Sequence, residues 1–130
     1  MRKLATVLAA GAALLVGPAL QARERLTPQQ ELAKLLEGRV AGTPVSCIST
    51  FGHSNLRVLD NTALVYGSGR TIYVNVPDNP DVLDDDDVLV TRQFGSQLCR
   101  MDIVNVVDRA GGFYRGFVGL NDFVPYRKVG

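Results

Sequence analysis

The 130-residue chain contains no tryptophan, one histidine, two cysteines and two methionines, and aromatic residues make up 7% of it. Two cysteines this far apart cannot form a Cys-x-x-Cys redox pair, and two thiols without a nearby His make a structural zinc site implausible. Charge of one sign is also missing. The 14 basic and 13 acidic residues leave a formal net charge of +1. Tight binding to nucleic acid or to an anionic membrane needs a basic surplus gathered on one surface, so neither is expected. No internal repeat occurs at a fixed period, and there is no Gly-x-Ser-x-Gly elbow to seat a nucleophilic serine. What remains is a chain that is 46% hydrophobic. That is enough apolar surface for one core, and the length fits one domain.

Residues 1–22 read as a secretory signal peptide. Arg2 and Lys3 form its positive start, residues 4–16 are a short apolar run, Gly17 and Pro18 break it, and Ala22 places a small residue before the cut. The alternative is an uncleaved anchor, but the run is shorter than the ~20 residues a spanning helix needs. No cysteine follows at a lipoprotein position. Loss of Arg2 and Lys3 with this segment takes the 14 basic residues to 12 against 13 acidic ones, a net charge of −1. The expected destination is the bacterial periplasm or the medium, with no stable membrane anchor after cleavage.

Residues 23–38 read as a linker and one capping helix. Thr27 is a good N-cap, Pro28 suits the first helical position, and Gln30 completes a capping box. Leu32, Leu35 and Leu36 make a narrow apolar stripe, and Gly38 is a natural stop. Such a helix either packs on a sheet or offers its stripe to a partner. Residues 39–130 form a single β-rich domain with seven or so short strands. The clearest hairpin joins residues 62–66 to 71–76 through Gly67-Ser68-Gly69-Arg70, with Ala63, Val65, Ile72, Val74 and Val76 in alternation. A glycine turn that enters a strand is not a phosphate-binding loop, which would open a helix. Pro77-Asp78-Asn79-Pro80-Asp81 forms a loop. Pro125 places the last strand at a sheet edge.

Residues 87–107 hold the late part of the domain together. Val88-Leu89-Val90-Thr91 is β-prone, Phe94-Gly95-Ser96-Gln97 reads as a turn, and from Cys99 the alternation of Cys99, Met101 and Ile103 predicts a half-buried strand. Export to an oxidising compartment makes a disulfide the natural fate of Cys47 and Cys99. It would tie this late hairpin to the first strand of the domain, closing a loop worth roughly 4 kcal/mol of chain entropy.

Three groups of residues are candidates for function. Asp84, Asp85, Asp86 and Asp87, with Asp81 upstream, offer oxygens to Ca²⁺, although EF-hand spacing is absent and consecutive carboxylates cannot all face one ion. A solvated acidic loop that keeps a strand end from aggregating is the competing reading. His53, with Ser46, Ser49 and Ser54 nearby, could be written into a small hydrolase, though a lone histidine in a Gly-Ser-Asn loop is normally a polar loop residue. Phe113, Tyr114, Phe117, Phe123 and Tyr126 interleave with Arg115, Arg127 and Lys128. Aromatics and arginine are favoured at interfaces, so Tyr114, Arg115, Tyr126, Arg127 and Lys128 are the candidate partner surface.

Val45-x-Cys47-Ile48, Thr71-Ile72-Tyr73-Val74-Asn75, Leu83 with the four aspartates, Gly95-Ser96-Gln97-Leu98-Cys99 and Phe123-Val124-Pro125-Tyr126 together resemble a family of short secreted proteins of sphingomonad-type alphaproteobacteria whose function is unknown. The resemblance covers residues 39–126. It implies export and a small β-rich domain with paired cysteines, and it supplies no activity or functional residue. Broader relatives carry a further cysteine near the position of Pro80, where this chain has none. The combined expectation is an α+β, mostly β fold: one N-terminal helix packed on a small antiparallel sheet curled into a barrel or sandwich, with one disulfide. The expected role is that of a non-enzymatic exported binding or structural module. It needs no cofactor or catalytic residue and meets an envelope protein or component. A Ca²⁺-binding module and a His53 hydrolase are the alternatives.

Overall fold

The computed structural model describes residues 25–51, 55–93 and 95–129. The expected signal peptide and His53 lie outside the described residues. The elements run α1 (Pro28–Leu36), β1 (Arg39–Ala41), β2 (Cys47–Ser49), β3 (Leu56–Leu59), β4 (Ala63–Tyr66), β5 (Thr71–Asn75), a 3₁₀ turn (Pro80–Val82), β6 (Val88–Thr91), β7 (Gln97–Cys99), β8 (Ile103–Val107), β9 (Tyr114–Gly119) and β10 (Val124–Lys128). All strand pairs are antiparallel. They form a five-stranded sheet in the order β1-β10-β5-β4-β3, a three-stranded sheet β6-β8-β9 and a ribbon β2-β7. The sheets do not close into a barrel.

Helix α1 starts as its residues dictate. The Thr27 hydroxyl accepts from the Gln30 N–H, and the Gln30 side chain accepts from the Thr27 N–H. Glycine at 38 takes the positive φ of 72° that ends the helix without a Cβ clash. Leu32, Leu35 and Leu36 pack against Leu59, Ala63, Val65, Ile72 and Val74 on one face of the five-stranded sheet. The opposite face carries Leu64 and Tyr66, which join Ile48, Leu98, Val104, Val106, Val118 and Phe123 in the second, larger core. Strand β4 is therefore buried at all four positions, each side chain serving one core or the other. Tyr66 meets the fully buried Phe123 edge-on at 5.7 Å, and its burial raises the hydroxyl's pKa well above the usual tyrosine value.

Polar ties hold the seams. The Arg39 guanidinium donates to the carbonyls of Leu35, Gly69, Arg70 and Tyr126, at distances of 2.8–3.4 Å. It closes the C-terminus of α1 and joins it to the turn before β5. Asn75, fully buried, donates to the Asn121 carbonyl and accepts the Asn121 N–H. This reciprocal pair fixes the loop into β10 against the end of β5.

Three sequence expectations need correction. The strand predicted to run from Cys99 through Ile103 is broken: β7 ends at Cys99 and β8 begins at Ile103. Asp102 causes the break. Its carboxylate accepts the Cys99 N–H at 2.7 Å while its own N–H donates to the Cys99 carbonyl, closing a turn. The expected late hairpin is replaced by two separate pairings, β6 with β8 and β7 with β2. Pro125 does not mark an edge strand, because β10 lies between β1 and β5. The proline is accommodated because its carbonyl accepts from Gly42, on the β1 side. Its missing donor therefore faces the place where β1 ends, and the ladder to β5 is intact.

Cys47 and Cys99 sit directly opposite in the β2-β7 register and are bonded, with their Cα atoms 4.0 Å apart. The flanking Arg100 N–H donates to the Ser46 carbonyl, so the cysteine pair occupies the non-hydrogen-bonded position where side chains approach closest. The bond closes a sequence separation of 52 residues. Replacing Cys47 and Cys99 with serine is expected to lower the unfolding free energy by about 2–4 kcal/mol. Urea denaturation measures it, and a loss within error of zero would show that the ribbon holds without the bond.

Candidate functional site

The three-stranded sheet presents an unusual outer face. Val104, Val106, Val118 and Leu89 point into the larger core. Alternation then turns Val90, Ile103, Asn105, Val107 and Phe117 outward, with Val90, Asn105 and Phe117 in one cross-strand row. A bulge extends this face. Val106 pairs with Gly116 but Val107 pairs with Tyr114, leaving Arg115 as the extra residue. Gly116 takes a φ of 144° there. The shift puts Tyr114 beside Val107 on the outer face and turns Arg115 toward the inner side, where it pairs with Asp87 at 3.3 Å. Ile103 is 62% exposed, Tyr114 63% and Phe117 56%. No buried cluster among the described residues includes them.

The predicted partner surface is divided by this geometry. Tyr114 belongs to the outer face just described, and Arg115 is held by Asp87. Tyr126 lies in β10 of the other sheet, packed against the helix-side core. Arg127, its neighbour, points to the opposite face of that sheet, and Lys128 ends the strand opposite Arg39. Phe123 is core. Val90 and Ile103 were missed as surface residues. Their signal was present in the runs Val88-Leu89-Val90 and Ile103-Val104, where neighbouring apolar residues place one on each face of the strand.

The acidic run also divides. Asp84 and Asp85 gather with Asp60, from the β3-β4 turn, so that one carboxylate oxygen from each lies within 4.8 Å of the others. The Asp85 N–H donates to Asp60 at 2.7 Å. The charge of Asp60, followed by desolvation and then by Asp86 and Asp84, raises the Asp85 pKa above the usual carboxylate value. Asp86 has no place in this group. Asp87 leaves the run and enters the protein. It is 6% exposed, its Oδ1 faces Arg115, and its Oδ2 has no hydrogen-bond partner among the described residues. A cleft of about 840 Å³ between α1 and β3 is lined mainly by charges of both signs, including Lys34, Arg57, Asp60 and Asp85. It lacks the apolar wall with a few convergent polar groups that marks a small-molecule site.

The chain matches no protein-family model, no curated protein and no solved structure. Residues and geometry alone carry the functional reading. Among the described residues, no helix is long and apolar enough to cross a membrane.

A carboxyl whose pKa is raised by folding contributes stability below its unfolded pKa and loses it as pH rises through the folded value. At neutral pH Asp85 is therefore unfavourable to the folded state. Asp85→Asn is expected to raise Tm at pH 7, and the gain should shrink as pH falls through the carboxylate range. A pH-independent difference in thermal melts would contradict the like-charge origin of the shift.

Proposed function

We propose that this chain is a small exported, non-enzymatic binding module that engages a folded protein partner of the cell envelope through the outer face of its three-stranded sheet. The observation that carries this reading is the exposure of Val90, Ile103, Tyr114 and Phe117 on that one face, around Asn105, which stands between Val90 and Phe117. Large apolar side chains grouped at the surface of a soluble protein mark interaction sites, whereas scattered single ones do not. The disulfide fits an oxidising compartment, and together with the signal-like residues 1–22 it supports export to the periplasm or the medium. The paired cysteines and the β-rich domain are also in keeping with the secreted sphingomonad family that the motifs resemble. A purified Phe117→Ser/Ile103→Thr protein is expected to keep its Tm within a few degrees. It should lose the partner that the wild-type protein captures by crosslinking in its native envelope, with affinity falling at least about tenfold. Undiminished capture would remove this face from the reading.

The convergence of Asp60, Asp84 and Asp85 favours a second reading, a weak Ca²⁺ module. Selective binding of the ion to the folded state must stabilise it by mass action. Tm should then rise with millimolar Ca²⁺ and fail to do so in Asp60→Asn/Asp85→Asn. A Tm that ignores Ca²⁺ disposes of this alternative.

A further inference from the structure

Strand β6 closes one side of the three-stranded sheet and pairs only with β8 among the described residues. The direction of its backbone groups follows from the opposite side of that sheet. On β9, the Phe117 carbonyl accepts from the Asn79 side chain, the Gly119 N–H donates to it, and the Gly119 carbonyl accepts from the Asp78 N–H. Phe117 and Gly119 therefore face away from β8. Their cross-strand partners Asn105 and Ile103 must then face β6, and Val90, opposite Asn105, faces back toward β8. Alternation leaves the N–H and C=O groups of Leu89 and Thr91 pointing outward, with no strand among the described residues to receive them.

That open edge borders a groove of about 480 Å³, whose other wall is β3, the edge strand of the larger sheet. Leu56, Val58, Val88 and Leu89 give it apolar sides, and Asp85 and Asp87 line it as well. Of the two arginines along it, Arg57 pairs with Glu31 at 3.3 Å, while Arg109 donates to the Asp86 carbonyl and keeps its charge. Carboxylates still outnumber the remaining cations nearby, because Asp60, Asp84, Asp85, Asp86 and Asp87 stand against Arg109 and Arg115. Asp85 stands with Asp60 and Asp84, and none of the three forms an ion pair among the described residues. Asp87 adds an independent sign of a missing donor, since its side chain is 4% exposed and its Oδ2 is unpartnered. A buried carboxylate oxygen left so carries an uncompensated desolvation penalty, which an incoming N–H or ammonium group relieves.

We infer that the groove between β3 and β6 receives an extended peptide segment bearing lysine or arginine, which adds to the free edge of β6 as a further strand. Backbone pairing to Leu89 and Thr91 supplies the sequence-independent part of recognition. Alternate apolar side chains rest on the groove walls, and the basic side chain meets Asp85, whose carboxylate stands beside Asp60, and the free oxygen of Asp87. This site is distinct from the outer sheet face, so it stands or falls separately from that surface.

The purified oxidised protein is applied to an array of random peptides of about seven residues. Bound peptides are expected to be rich in Lys and Arg, to alternate these with apolar residues and to be poor in proline. Asp60→Asn/Asp85→Asn should weaken the basic peptides by about tenfold while leaving Tm at or above the wild-type value. A bound peptide should slow amide hydrogen exchange at Leu89 and Thr91, a direct readout in the unaltered protein of strand addition. An array without basic, proline-poor preference overturns the proposal. So does unchanged affinity in the double variant, or unchanged exchange at Leu89 and Thr91 with peptide bound.

Discussion

Burial of both faces of the five-stranded sheet is the constraint on which the remaining geometry depends. Strand β4 sends Ala63 and Val65 under α1 and Leu64 and Tyr66 into the larger core, so neither layer can be removed without exposing the strand between them. A fully buried aliphatic side chain contributes about 1.5–3 kcal/mol relative to an exposed one. That scale exceeds the median surface ion pair of roughly 0–1 kcal/mol, the class to which Arg57–Glu31 and Arg100–Asp122 belong. The layers are therefore held by packing, while the polar ties of Arg39 and Asn75 set the angles at which the loops leave them. The three-stranded sheet differs. Only its inner face meets the core, although its strands are apolar on both.

Local features of the fold were readable along the chain. The capping box at Thr27, the β4-β5 hairpin and the Gly38 stop are each specified by residues within a few positions of one another. The Cys47–Cys99 pairing was readable because the chain contains only two cysteines. What escaped was set by contacts distant in sequence. Cys99, Met101 and Ile103 alternate as a strand would, but the Asp102 carboxylate offers the backbone a turn that competes with the ladder. Pro125 suggested an edge because the rule concerns a whole strand, whereas the structure needs only one position whose neighbour has ended.

The candidate site shows the same division. Tyr114 and Arg115 lie near Tyr126, Arg127 and Lys128 along the chain, and aromatics interleaved with basic residues suggest one surface. A bulge and two different sheets separate them. Asp60 was invisible as a companion of Asp84 and Asp85 because the β3-β4 turn reaches them only after folding. Asp87, the last of four identical residues, behaves unlike the other three because the strand begins at Val88 and carries it inward. Composition identified the acidic run, and only the fold distinguishes the carboxylates at the surface from the one beneath it.

Asn79 has a consequence for how this sheet can grow. Its side-chain amide occupies the backbone of β9 much as a neighbouring strand would, and with the Asp78 N–H it seals that margin. An array of like molecules joined strand to strand through the three-stranded sheet alone needs two open margins of that sheet per copy, one to receive and one to offer. With β9 sealed and β6 open, an added strand ends the sheet, and a head-to-tail filament through it has no second margin along which to propagate.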